Sequence, residues 1–66
     1  MKLRELIERY KSNGEHLCVS IMMEGEEVDF FRNIDILGDV PLNRPVLEVK
    51  LKPYNNVEDV AVVSLD

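Results

Sequence analysis

Apolar residues open the chain at the spacing of a helix. Leu3, Leu6, Ile7 and Tyr10 stand at i, i+3, i+4 and i+7, which aligns them as one stripe on a helical cylinder. Charged residues from Lys2 to Lys11 take the other faces, with Glu5 and Arg9 four apart in the favourable order. Ser12-Asn13-Gly14 then predicts a stop, because Asn and Gly accept the left-handed backbone that satisfies a helix's last carbonyls. Beyond it the period changes to two. Leu17, Val19, Ile21 and Met23 alternate with Cys18, Ser20 and Met22, as on a half-buried strand. Glu24-Gly25 is a turn signal, and EEVDFF reads as the returning strand. Strict alternation puts Val28 and Phe30 on one face of it, and Glu27, Asp29 and Phe31 on the other.

Residues 32–44 carry neither period. Gly38, Pro41 and Asn43-Arg44-Pro45 mark turns there, and Ile34, Ile36 and Leu37 are expected to tuck beneath the sheet edge. Alternation resumes in PVLEVKLKP, with Leu47, Val49 and Leu51 inward and Glu48, Lys50 and Lys52 outward. After the turn-rich Pro53-Tyr54-Asn55-Asn56, EDVAVVSLD places Ala61, Val63 and Leu65 against Val60 and Val62. The expected fold is one α+β domain over residues 1–66. Its N-terminal helix packs on a four-stranded antiparallel sheet, in the order α-β-β-β-β.

Length changes what such a fold needs. A chain of 66 residues buries only about 60% of the surface its unfolded form exposes. Disulfides, a metal or self-association are the usual supplements. Cys18 is the one cysteine, so a disulfide within the chain is excluded. His16 and Cys18 share a strand face, but zinc takes four ligands and no second His or Cys is present. The carboxylates of MMEGEEVDFF lack the ligand spacing of a calcium loop and diverge along a strand. Glycines 14, 25 and 38 are isolated, so no phosphate-cradling loop forms, and no nucleophile has an activating base beside it. No metal, cofactor or catalytic role is expected.

Charge narrows the partners. Residues 1–14 carry a net +2, whereas residues 15–31 hold five carboxylates and no Lys or Arg, within a total of −5. An acidic surface repels a phosphate backbone, so direct nucleic-acid binding is not expected. No apolar run approaches the ~18 residues that would span a bilayer. A lone cysteine and the lack of a basic-then-apolar leader point to the cytoplasm.

The strand patterns also assign a second sheet face, opposite the helix. Met22, Phe31, Val60 and Val62 fall there among Glu27, Asp29, Glu48, Lys50 and Lys52, together with Cys18, Ser20 and Val46. Apolar groups rimmed by charge are the composition of an interaction surface. Two uses compete. The face can pair two copies as a homodimer, its mixed Glu48/Lys50/Lys52 rim complementing itself. Alternatively it docks an unidentified protein, with Glu24, Glu26, Glu27 and Asp29 imitating phosphates to occupy a nucleic-acid channel. The opening MKLRELIERY, followed by a hairpin and a close on alternating valines, resembles short proteins of phages and mobile elements in Gram-positive bacteria. That resemblance implies a host-interacting accessory, sometimes an inhibitor of host defence nucleases, and assigns no site residue. The expected function is non-catalytic protein–protein interaction, by self-association first and acidic mimicry second.

Overall fold

In the computed structural model, which describes residues 1–66, the N-terminal stripe lies on helix α1, Leu3–Ser12. Its start uses the Glu5 carboxylate, which accepts the Lys2 backbone N–H at 3.1 Å. Two first-turn donors find partners in the distant connecting segment. Leu3 N–H donates to the Arg44 carbonyl at 3.0 Å and Arg4 N–H to the Leu42 carbonyl at 2.9 Å. The free donors of the helix end thereby tie it to that segment. At the other end Glu15 N–H reaches the Tyr10 carbonyl at 3.1 Å and Gly14 N–H the Lys11 carbonyl at 3.0 Å. Gly14 has φ +70°, so this is a Schellman stop.

Four strands follow: β1 Cys18–Met23, β2 Glu26–Phe31, β3 Val46–Pro53 and β4 Asp59–Leu65. β1 and β2 form one antiparallel hairpin, and β3 and β4 another. Glu24 and Gly25 both have positive φ, +54° and +80°, the signature of the two-residue type I′ turn that suits strand twist. The α+β class therefore holds, but the sheet is not wholly antiparallel. Its order is β2-β1-β4-β3, and the central pair β1·β4 runs parallel. β2 and β3 consequently point the same way, so residues 32–45 must return the chain along the length of the sheet. A return of that kind takes a dozen residues or more.

The connecting segment crosses on the helix side. Ile34 is 0% exposed there, and its N–H donates to the Leu17 carbonyl at 3.0 Å. Leu37, Val40 and Leu42 pack beside it against the core. Ile36 does not tuck under: it is 74% exposed. The core itself joins the helix stripe Leu3, Leu6 and Ile7 to Leu17, Val19 and Ile21, and to Ala61, Val63 and Leu65.

Two bulges correct the expected faces. The β1–β2 register shifts at Ile21/Met22, leaving Val28 without a cross-strand partner. Phe31 then pairs with Val19 and packs against the core, while Phe30 pairs with Ser20 on the opposite face. Asp29 likewise moves to the helix side, opposite Ile21. On β3 the register shifts between Val46 and Glu48, so Val46 packs inward and Leu47 is 67% exposed. Leu51 keeps its inward register opposite Ala61 but lies beyond the cover of the helix, 55% exposed.

Candidate interaction surface

The sheet face opposite α1 carries no second layer, and pairing register arranges its side chains in three rows. Nearest the β1–β2 turn run Glu27, Met22, Ser64 and Glu48. The middle row is Phe30, Ser20, Val62 and Lys50, and the far row is Cys18, Val60 and Lys52. Water reaches part of this side, although Cys18, Ser20 and Val60 on it are buried. Met22 and Val62 are half-buried and Phe30 is 37% exposed. Charged side chains fill both rims, on β3 with Lys50 Nζ 3.6 Å from Glu48 Oε1.

The far row is capped by side chains from two other elements. Asn55, in the β3–β4 turn, accepts the backbone N–H groups of Val57 and Glu58 at 2.9 and 2.8 Å. Its amide donates to Glu58 Oε1 at 3.2 Å, which aims that carboxylate across the sheet. Arg32, just past β2, donates to the same oxygen at 3.3 Å and lies 5.1 Å from the centre of the Tyr54 ring. Tyr54 in turn meets Phe30, with ring centres 5.5 Å apart. Beneath this lid Cys18 is 0% exposed, its Sγ 3.7 Å from Glu58 Oε2.

Electrostatics at the lid follow from those contacts. The Asn55 amide, and then Arg32, hold the Glu58 carboxyl below its usual range. Its ion pair therefore adds stability above the ordinary carboxylate range, and loses it as pH falls through the lowered value. Burial first, and the Glu58 charge second, push the Cys18 thiol up. A neutral thiol beside a carboxylate is the reverse of an activated nucleophile. His16 does not reach it, standing instead with Nδ1 3.6 Å from Asp35 Oδ2 and 80% of its side chain exposed. In the native protein at pH 8, Cys18 is expected to react with a disulfide reagent at least about a hundredfold more slowly than in denaturant. A native rate within tenfold of the unfolded rate would contradict the lid.

The acidic stretch from Glu24 to Asp29 is exposed along its length, whereas β1 beside it is buried over Cys18–Ile21. Glu24 occupies the turn, and Glu27 accepts the Ser20 hydroxyl at 2.6 Å on the bare face. Asp29 looks to the other side, so the four carboxylates do not converge. No group of three or more His, Cys, Asp or Glu side chains is placed to hold a metal ion. No helix is long and apolar enough to cross a membrane.

Of the residues expected at the interface, Met22, Val62 and Glu27 lie on the bare face and Glu24 in the turn at its end, whereas Glu26 pairs with Met23 on the helix side. Val60 is there too, but it is only 8% exposed and forms part of the floor under the lid. Phe31 and Asp29 belong to the helix side. Phe30, Arg32, Tyr54 and Glu58 were not anticipated. The adjacent Phe30-Phe31 pair was the available signal, since either ring can turn inward once a bulge is allowed. The chain matches no protein-family model, and neither the curated proteins nor the solved structures contain a significant match to it.

Proposed function

We propose that this chain is a non-catalytic protein-interaction module whose bare sheet face pairs with a second copy of itself. The carrying observation is the uncovered middle of that face, where Met22, Phe30 and Val62 are partly exposed between charged rims. Parallel strand pairs such as β1·β4 are usually covered on both faces, and one ten-residue helix covers one of them. Both edge strands discourage the alternative of edge-to-edge pairing: Glu26, Glu27 and Asp29 charge β2, while Lys50, Lys52 and Pro53 occupy β3. A buried lone cysteine suits a reducing compartment, which supports a cytoplasmic setting. A phage or mobile-element origin, which the outline of the sequence resembles, would fit an accessory of this kind.

Light scattering over a dilution series is the test. The expected mass is twice the 7.6 kDa of the chain, falling to the monomer in a Val62→Lys variant that keeps its circular-dichroism spectrum. A wild-type chain that remains monomeric at its highest soluble concentration would sink this reading.

The second reading is acidic mimicry of nucleic acid, supported by the lack of Lys or Arg across residues 15–31 and by the exposure of Glu24, Glu26, Glu27 and Asp29. A decoy complex with a basic channel protein would weaken steeply as salt rises. Apolar self-association would not.

A further inference from the structure

We infer that the two copies meet with their two-fold axis across the strands, so that the turn end of each face lies over the lid end of the other. This rests on the self-association proposed above and specifies how it is built.

The bare face is polarised along its strands. At the turn end both rims are acidic, Glu27 on β2 and Glu48 on β3. At the other end both rims carry a cation, Lys52 on β3 and Arg32 just past β2, with Glu58 bound to the latter. Between them lies the row of Phe30, Ser20, Val62 and Lys50.

A face-to-face dimer with a closed two-fold has its axis in the plane between the sheets, and each contact then occurs twice. Two directions keep the strands of both copies nearly aligned, as packed sheets prefer. An axis along the strands superposes equal ends and exchanges the rims. Glu48 would then face the partner's Glu27, and Lys52 the partner's Arg32. An axis across the strands superposes opposite ends and keeps each rim over its own equivalent. Glu48 then faces the partner's Lys52, Glu27 faces the partner's Arg32, and Phe30 and Val62 gather beside the axis.

One meeting remains unfavourable, that of Lys50 with the partner's Lys50. It falls at the rim, where Glu48 already stands 3.6 Å from Lys50 Nζ and offsets it. Opposite charges at four rim positions outweigh one solvated like pair, and like charges placed opposite are what select against a wrong register. The strand-parallel axis sets like charges opposite at all four rim positions, which the Glu48–Lys50 and Arg32–Glu58 pairs within each copy offset only in part.

The experiment is a charge swap read by the dimer dissociation constant at low salt. Glu48→Lys alone, and Lys52→Glu alone, each place like charges at two symmetric positions and should weaken the dimer at least about tenfold. The double variant Glu48→Lys/Lys52→Glu restores opposite charges and should return to within about threefold of wild type. Both residues are exposed, and circular dichroism checks that the fold persists. If Glu48→Lys tightens the dimer, the axis runs along the strands and the inference fails. If it changes nothing, or the double variant stays weak, the inference fails as well, with self-association intact. A wild-type monomer at every concentration overturns the proposed function itself.

Discussion

Phe31→Asp is expected to lower the melting temperature by roughly 10–25 °C, whereas Phe30→Asp should leave the chain folded. The two rings are adjacent in sequence and opposite in environment. Phe31 pairs with Val19, packs against the core under α1, and has its ring edge against Gly38. A carboxylate at this half-buried site would be partly desolvated without a partner while the ring's contacts are lost, for a cost of about 2–4 kcal/mol. A domain of this size has only about 3–10 kcal/mol in hand. Phe30 is 37% exposed and its main contact is the tilted Tyr54 ring, so its loss costs about 1 kcal/mol. The same Phe30 variant should also weaken self-association, because its ring lies in the middle row of the bare face. Thermal melts of both variants decide it. Equal destabilisation at the two positions, or more at Phe30, would mean that β2 sits in the unbulged register.

Ile34→Ala should cost about 2–5 kcal/mol, while Ile36→Ala stays within about 0.5 kcal/mol of wild type. No pattern in the sequence separates these isoleucines, which stand two apart in a segment without regular structure. In the fold Ile34 is 0% exposed and held by its N–H to the Leu17 carbonyl, and Ile36 is 74% exposed. Ile34 anchors the strand-to-strand return beneath the sheet. Removing its side chain leaves a cavity in the core cluster it shares with Leu17 and the helix stripe. Urea titration of both variants gives the contrast directly. A small effect at Ile34 would show that the 32–45 return is not part of the cooperative core.

The contrast between these pairs shows which information is local. The helix was legible because its four apolar positions obey one period and its stop uses a glycine with φ +70°. Both hairpins were legible too, each being two alternating runs joined by turn residues. The parallel join of β1 to β4 was not. Alternation reports which way a side chain points and carries nothing about which strand lies alongside. The one hint was the length of the 32–45 link, which is longer than a meander requires and carries apolar residues of its own.

The interface illustrates the same division. Met22 and Val62 were placed from alternation alone, since they lie on stretches of strand without a shift. Phe31 and Val46 were misplaced because a bulge separates each from the rest of its strand, Phe31 after Val28 and Val46 before Glu48, and one extra residue exchanges the faces across it. The lid over Cys18 was out of reach because Arg32, Tyr54 and Glu58 come from separate parts of the chain and meet only in space.

By itself, then, the sequence determined the identity and order of the elements, the helix face that is buried, and the acidity of the first hairpin, all of which follow from residues close in the chain. The tertiary structure decided the neighbour of each strand, the two bulges, which phenylalanine is core, and the makeup of the bare face. Those outcomes depend on how several elements share one small core, where filling volume beneath the helix outweighs the ideal register of a single hairpin.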